Sequence, residues 1–136
     1  MVKPIMHDPL FLAGKSEAAT AEDLSVARDL LDTLLAHQQH CVGLAANMIG
    51  VRKRVIALFN GPAPMAMMNP VITKKSGAYE AEEGCLSLSG VRKTTRYERI
   101  EVSYQDMQMK QQRRSFTGYT AQIIQHEVDH CDGILI

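Results

Sequence analysis

Hydrophobic positions recur at helical spacing in two segments of the chain, one in each half. The first segment follows a helix-start pattern at Thr20, Glu22 and Asp23 and is predicted to run to about residues 37–40. Its apolar positions are Leu24, Ala27, Leu31, Leu34 and Leu35. The second segment, residues 118–130, is predicted to form the last helix.

Apolar runs between these helices predict strands, at residues 55–59, 65–72 and 100–104, with 113–117 as a hairpin partner of the last. Residues 65–72 are read as a short strand pair or as an extended run interrupted by Asn69–Pro70. The proline-containing first segment is predicted to be irregular, and residues 77–90 to be rich in loops. An order of helix, strands and helix predicts an α+β fold rather than a parallel βαβ design.

Composition and charge bound the class of protein without identifying it. A chain of 136 residues is large enough to form a hydrophobic core without the support of disulfide bonds, so residues 1–136 are expected to form one domain. The formal net charge of +0 gives no general electrostatic reason to bind nucleic acid or an anionic membrane. No apolar run approaches the roughly 20 residues that span a bilayer, and no signal peptide is apparent. A cytoplasmic monomer is expected.

The three cysteines do not predict a disulfide framework, because they are odd in number and the chain is expected to be cytosolic. Cys41 and Cys131 are interpreted as small buried side chains. Cys85 is interpreted differently, because it lies in an acidic, glycine-containing segment beside chemistry-bearing residues. We expect Cys85 to serve as a thiolate ligand.

The five residues His126-Glu127-Val128-Asp129-His130 form an HExxH pattern on the last helix. Positions i and i+4 share one helix face, so the two histidines can bind one metal ion. Glu127 is then placed to act as general base toward a metal-bound water. The competing interpretation is an exposed amphipathic turn with two solvated histidines. Asp129 is expected to pair with Arg96 or Arg92, or to form a surface salt bridge of little energy.

A third metal ligand is expected upstream, at Cys85, because few residues follow His130. One sulfur and two imidazoles leave one coordination position open, which is typical of a catalytic site. Gly84 allows the backbone to approach closely. Glu83 is a candidate to hydrogen-bond a substrate amide or a ligand, with a solvated carboxylate as the alternative. His37 and His40 are rival ligands at a helix end.

Three segments of the chain together resemble the peptide deformylase family. They are residues 42–50 (VGLAANMIG), residues 83–87 (EGCLS) and residues 125–130 (QHEVDH), in the family's order and at family-like spacing. The resemblance therefore spans Val42 to His130, most of the chain. It implies an α+β fold, with antiparallel sheets packed around the C-terminal helix that carries the HExxH pattern.

The resemblance also implies a function and a cofactor. The expected reaction is hydrolysis of the formyl group from the N-terminal formyl-methionine of new polypeptides, with release of formate. The expected metal ligands are Cys85, His126 and His130, with Fe2+ as the usual native ion and Zn2+, Ni2+ or Co2+ as substitutes. The expected partner is a formyl-methionyl peptide, with transient contact to the ribosome as a further expectation.

The expected chemistry assigns a role to each site residue. Glu127 takes a proton from the attacking water and delivers it to the departing amine, and the Leu86 backbone N–H helps the metal to hold the oxyanion. Ile123 is read as a wall of the methionine pocket or, equally, as an ordinary core residue. The residues expected to contact substrate are Val42, Gly43, Leu44, Asn47, Glu83, Gly84 and Ile123.

The chain departs from the family pattern at Cys41 and Met48, where the family has glycine and glutamine. The family's glutamine donates a hydrogen bond to the oxyanion, which a thioether cannot do, and such a loss typically costs about 10²–10³ in rate. Asn47 is the neighbouring side chain that can donate. The departures leave open a weakly active protein that binds formylated peptides, an amidohydrolase of another small N-acyl substrate, and a metal-stabilised fold without catalysis.

Overall fold

The computed structural model describes residues 1–85 and 88–135, and this part of the chain contains three α-helices and five strands. The helices are α1 (Pro9–Leu12), α2 (Leu24–Ala36) and α3 (Gly118–Cys131), with 3₁₀ turns at Ala21–Asp23 and Ala46–Ile49. The strands are β1 (Gly43–Ala45), β2 (Val55–Asn60), β3 (Ala63–Cys85), β4 (Leu88–Gln105) and β5 (Gln111–Thr117). They form one antiparallel sheet in the order β1-β2-β3-β4-β5.

The first predicted helix is confirmed as α2. The Thr20 N–H donates to Asp23 Oδ2 at 2.9 Å, so the predicted start signal satisfies a backbone donor ahead of the helix. The buried face of α2 carries Ala27, Leu30 and Leu34, and it packs on β1, β2 and β3. The proline-containing first segment is more regular than predicted, because Asp8 caps α1 by accepting from the Leu10 N–H at 3.0 Å.

The long β3–β4 hairpin is the largest difference from the sequence-based expectation. Residues 77–85 belong to β3 and residues 88–90 to β4, so the prediction of a loop-rich segment at 77–90 is wrong where the structure describes it. Most of β3 from residue 73 to 80 is exposed, so no alternation of buried positions marks it in the sequence. The predicted interruption at Asn69–Pro70 is confirmed as a register shift between Met68 and Val71.

The last helix docks on the sheet through both apolar and polar contacts. Ala121, Ile124 and Val128 are buried, and α3 packs against β1, β2, β4 and β5. The Gln125 side chain fixes the position of α3 against β4, because its amide accepts from the Tyr97 N–H and donates to the Tyr97 carbonyl, both at 2.8 Å. The predicted α+β architecture around a C-terminal helix is confirmed. Across the described ranges, no helix has the combined length and apolar character that crossing a membrane demands.

Candidate active site

The two histidines of α3 lie side by side on its buried face. Their ring centroids are 4.5 Å apart, and only 8% of His126 and 4% of His130 is exposed. The alternative of two solvated histidines is therefore wrong. Cys85, at the end of β3, completes a cluster in which one potential ligand atom from each of the three residues lies within 4.8 Å of the others. The structure thus brings together the three ligands expected from sequence, and His37 and His40 lie outside this cluster.

A network of charges surrounds His126, and we call it the charged side (Glu83, Arg96, Gln122, Asp129). His126 Nδ1 lies 2.7 Å from Glu83 Oε1. Because a carboxylate only accepts, His126 donates through Nδ1 and keeps Nε2 as its metal-binding nitrogen. Arg96 donates twice to Glu83, through Nε at 2.9 Å to Oε2 and Nη2 at 2.7 Å to Oε1, and Gln122 donates at 2.8 Å.

These contacts shift the pKa values of Glu83 and His126. Burial alone would raise the pKa of Glu83, but its hydrogen bonds with His126, Arg96 and Gln122 lower that pKa to about 2. Burial opposes charge on His126 as well, yet its contacts with Cys85 and Glu83 raise its pKa to about 10. In the absence of metal, the cluster therefore favours an imidazolium beside a carboxylate.

The structure locates the partners that sequence left open for Glu83 and Asp129. Glu83 is 8% exposed and hydrogen-bonds the candidate ligand His126, rather than standing as a solvated carboxylate. Asp129 Oδ2 accepts from Arg96 Nη1 at 2.6 Å, so Arg96 is its partner. Since one arginine bridges both carboxylates, the charged side ties β3, β4 and α3 together at the metal cluster.

Uncharged residues lie on one side of His130, and we call them the neutral side (Gly43, Asn47, Met48). His130 Nδ1 lies 3.3 Å from Met48 Sδ, 3.5 Å from Glu127 Oε1 and 4.0 Å from Cys85 Sγ. Met48 Sδ also accepts from the Ala45 N–H at 3.3 Å. The thioether therefore lies beside the cluster, where its sulfur accepts hydrogen bonds and cannot donate one.

Asn47 is turned away from the position of that missing donor, and its expected role in substrate binding stays a prediction. It is 1% exposed and is not among the residues that line the cavity at the cluster. Its Nδ2 instead donates to the His130 carbonyl at 2.9 Å. Because Asn47 and Met48 are consecutive in a 3₁₀ turn, their side chains leave it in different directions.

A cavity of about 470 Å³ opens over the cluster. It is bounded by α3, the end of β3 and the segment that leads into β1. Its lining residues are Gln38, Gln39, His40, Cys41, Val42, Gly43, Met48, Glu82, Glu83, Gly84, Cys85, Tyr119, Gln122, Ile123, His126 and Glu127. Of the residues expected to contact substrate, Val42, Gly43, Glu83, Gly84 and Ile123 line this cavity. Leu44 is fully buried in the core and is not among the residues that line this cavity, so its expected substrate contact stays a prediction.

Gly43 explains how β1 and α3 approach so closely at the cavity. A Cβ at this position would lie 2.7 Å from Ile123 Cγ2 and 3.0 Å from Glu127 Oε2. Any side chain here would displace the wall of the cavity or the candidate base. The requirement for glycine at residue 43 is therefore steric.

The three cysteines have different ionisation behaviour. Burial would raise the pKa of Cys85, but hydrogen bonds with His126 and His130 lower it to about 7. Burial raises the pKa of Cys41 and of Cys131 to about 12. Cys85 alone among them is prepared to act as a thiolate near neutral pH.

The donor chemistry and one buried oxygen without a hydrogen bond fit a metal ion at this cluster. One thiolate sulfur and two imidazole nitrogens are suitable ligands for a transition metal. Glu127 is 4% exposed, and its Oε1 is buried without a hydrogen bond to any described residue. A buried carboxylate oxygen needs a partner, and a water at the cluster would supply it.

Sequence reasoning missed several residues around the cluster. Gln122, one turn before His126, supports Glu83, and its i, i+4 position relative to His126 is the signal that could have revealed it. Gln38, Gln39 and Tyr119 line the cavity without any motif to mark them. The expected oxyanion donor Leu86 lies outside the described residues, as does Ser87.

A buried HExxH helix with a third potential ligand at an upstream cysteine is typical of metal-dependent hydrolases. The family model for polypeptide deformylase matches residues 3–136 of the chain. A peptide deformylase of Clostridium beijerinckii is 57% identical over 136 residues and covers 100% of both chains. The chain therefore belongs to the polypeptide deformylase family, and the function predicted from the sequence is confirmed.

Solved structures agree with this assignment. A class I type b peptide deformylase from Acinetobacter baumannii, with Met-Ala-Ser bound, has a TM-score of 0.88 and 30% identity, and the match covers 99% of this chain and 97% of that one. A peptide deformylase from Thermotoga maritima also has a TM-score of 0.88, with 30% identity and coverage of 99% and 95%. The fold is that of the family over almost its whole length.

Proposed function

We propose that Cys85, His126 and His130 hold the catalytic metal of a peptide deformylase, with Glu127 as its general acid and base. The observation that carries this assignment is the buried Glu127 Oε1, which has no hydrogen bond to any described residue, beside a cluster of one sulfur and two imidazoles. The native ion is proposed to be Fe2+, with Zn2+, Ni2+ or Co2+ as substitutes. When bound, the ion supplies Lewis acidity, which makes water more acidic and polarises the formyl oxygen.

The residues of the chain provide the proton transfers of the hydrolysis. Glu127 removes a proton from water as the water oxygen attacks the formyl carbon. The carbon–nitrogen bond then breaks, and Glu127 delivers the proton to the departing amine nitrogen. The products are formate and a peptide with a free N-terminal methionine. The Leu86 N–H remains our proposed donor to the oxyanion.

Glu83 and Arg96 act in this proposal as positioning residues. The hydrogen bond from His126 Nδ1 to Glu83 at 2.7 Å fixes the ring orientation that directs Nε2 toward the cluster. Arg96 neutralises Glu83 and holds Asp129 on the same helix. The metal site is therefore organised before the ion binds, which avoids rearrangement during turnover.

The cavity provides the place for a formyl-methionyl peptide. Its volume of about 470 Å³ lies within the range of roughly 300–1,000 Å³ for small-ligand sites. We propose Val42, Gly43, Gly84 and Ile123 as the substrate contacts. We further propose that residues 1–136 act as one catalytic domain in a cytoplasmic monomer that meets its substrate in transient contact with the ribosome.

The test is formate release from formyl-Met-Ala-Ser by anaerobically prepared, iron-loaded protein, with Glu127→Gln as the variant. We expect turnover by the wild type and a loss of about 10²–10⁴-fold in Glu127→Gln, at unchanged metal content, because general acid–base catalysis contributes that much. Acetyl-Met-Ala-Ser serves as the control substrate and should not be hydrolysed.

The other outcomes identify the competing functions. Binding of the formylated peptide without formate release would favour a binding protein. Faster hydrolysis of the acetylated peptide would favour an amidohydrolase of another N-acyl group. Full turnover in Glu127→Gln would remove Glu127 from the mechanism.

A further inference from the structure

Gly43 turns its backbone groups toward the cavity at a free edge of the sheet. β1 is the first strand in the sheet order, so β2 pairs with one of its edges and no described strand pairs with the other. The Phe59 N–H donates to the Val42 carbonyl at 3.0 Å, which places that carbonyl on the β2 side. Successive carbonyls of a strand point to opposite sides, so the Gly43 carbonyl points away from β2. Since Gly43 lines the cavity, its carbonyl lies where an extended peptide would pair with it.

The Gly43 carbonyl already accepts a hydrogen bond from within the chain. The Cys41 thiol, which lines the same cavity, donates to it with Sγ 3.0 Å from the carbonyl oxygen. Burial raises the pKa of Cys41 to about 12, so the thiol keeps the proton that it donates near neutral pH. The glycine that the family has at this position has no side chain to make this contact. The thiol therefore occupies an acceptor that a glycine would leave open.

The occupied acceptor lies close to the candidate base. A Cβ built on Gly43 would lie 3.0 Å from Glu127 Oε2. Glu127 is 4% exposed and lines the cavity, and its Oε1 is buried without a hydrogen bond to any described residue. In the proposed reaction Glu127 delivers a proton to the amide nitrogen of the substrate, so that nitrogen must come to rest beside Glu127 and Gly43. Its N–H needs an acceptor once it leaves water, and the Gly43 carbonyl is a backbone acceptor at this place.

We propose that the Cys41 thiol competes with the substrate amide for the Gly43 carbonyl and so weakens the affinity of the enzyme for formylated peptides. The inference deepens the proposed function and rests on it. The substrate must displace the thiol before it binds, and this cost is the same in the ground state and in the transition state. KM should therefore be raised by Cys41 while kcat is not. Cys41 acts through Gly43, as a residue that sets substrate affinity.

The test measures kcat and KM for formyl-Met-Ala-Ser in iron-loaded wild type, Cys41→Ala and Cys41→Ser. Cys131→Ala is the control, because Cys131 is fully buried and is not among the residues that line the cavity. We expect Cys41→Ala to lower KM by at least about threefold and to keep kcat within about twofold of wild type, since one hydrogen bond is removed from the competition. Cys41→Ser keeps a donor, and a stronger one, so its KM should be at or above the wild-type value. Cys131→Ala should leave both constants within about twofold of wild type.

Three outcomes overturn the proposal. An unchanged KM in Cys41→Ala would show that the thiol does not compete with the substrate. A KM lowered equally in Cys41→Ala and Cys41→Ser would show that the larger sulfur only narrows the cavity. A change in kcat without a change in KM would show that Cys41 affects the chemical step instead of binding.

Calorimetric binding of the tripeptide Met-Ala-Ser separates this proposal from the function on which it rests. The terminal ammonium of the tripeptide also donates hydrogen bonds, so Cys41→Ala should bind it at least about threefold more tightly than wild type. Absence of formate release by the wild type would refute deformylation, and the tripeptide affinities would still test the competition. Formate release by the wild type with equal tripeptide affinities in wild type and Cys41→Ala would overturn the role of Cys41 alone.

Discussion

His126 and His130 lie one turn apart on α3, but the protein holds them by different chemistry. His126 donates to the carboxylate of Glu83, which Arg96 and Gln122 support in turn. His130 contacts a thioether, and its carbonyl accepts from the Asn47 amide. A buried ion pair therefore supports His126, whereas an uncharged side chain and an amide support His130 beside the Glu127 carboxylate. Disturbing the charged side should therefore cause the larger loss of stability, and disturbing the neutral side the smaller one.

The largest expected effect is at Glu83. Glu83→Ala leaves Arg96, 3% exposed, without its main counter-charge, and breaking a buried ion pair typically costs about 3–5 kcal/mol. Urea unfolding of the metal-free protein measures this loss. Glu82→Ala, an exposed neighbour on the same strand, is the control and should change stability by less than about 0.5 kcal/mol. A similar small change in Glu83→Ala would mean that the charged side does not organise the site.

The reactivity of two thiols, Cys85 in the ligand cluster and Cys41 in the cavity wall, can be compared directly. In metal-free protein, Cys85 should be alkylated by iodoacetamide at least about 100-fold faster than Cys41 near neutral pH, because only Cys85 has substantial thiolate. Because the pKa of Cys85 is lowered to about 7, its rate of alkylation should rise as the pH increases through about 7. Mass spectrometry of the alkylated peptides measures both rates.

Two observations would show whether fast alkylation of Cys85 comes from its lowered pKa or only from its accessibility to the reagent. Zinc added before the alkylating agent should protect Cys85 and leave Cys41 unchanged. Equal rates at Cys41 and Cys85, both of which line the cavity, would show that the histidines do not activate the thiol.

On the neutral side, the largest effect is expected at Gly43. A methyl group there would meet Ile123 Cγ2 at 2.7 Å, so Gly43→Ala should cost about 1–3 kcal/mol and lower deformylase activity as Glu127 is displaced. Gly84→Ala is the matched control across the cavity, since the nearest atom to its Cβ, the Gly90 carbonyl oxygen, is 3.5 Å away. Unfolding curves and formate release are measured together. Equal tolerance at both positions would contradict the steric argument.

The smallest effect is expected at Asn47. Asn47→Ala removes the hydrogen bond to the His130 carbonyl, which still accepts from the Gly133 N–H at 3.0 Å, so the cost should be about 1 kcal/mol. Formate release should change by less than about threefold, because the amide does not line the cavity. A loss of 100-fold or more in a folded variant would restore Asn47 as the oxyanion donor.

Sequence predicted the ligand cluster well because its information is local. The spacing of His126 and His130 requires only a helix, and Cys85 lies in a distinctive segment of its own. The pairing of Asp129 with Arg96 was one of two alternatives, and only the register of β4 against α3 decides between them.

The sequence does not predict which way a side chain points or which distant strands pair. Whether Asn47 or Met48 faces the cavity depends on a 3₁₀ turn whose orientation is set by β1 and α3. The β3–β4 hairpin escaped prediction since each strand pairs with the other while much of β3 stays exposed, so no hydrophobic alternation is required. These features arise from tertiary contacts rather than from local pattern.

The most direct test of the account is a crystal structure of the zinc-loaded protein with an anomalous difference map at the zinc edge. We predict one peak at about 2.0–2.3 Å from Cys85 Sγ, His126 Nε2 and a ring nitrogen of His130. Glu127 should stand beside the peak without binding it directly. A peak held by other residues, or one that excludes Cys85, would contradict the proposed metal centre and the mechanism built on it.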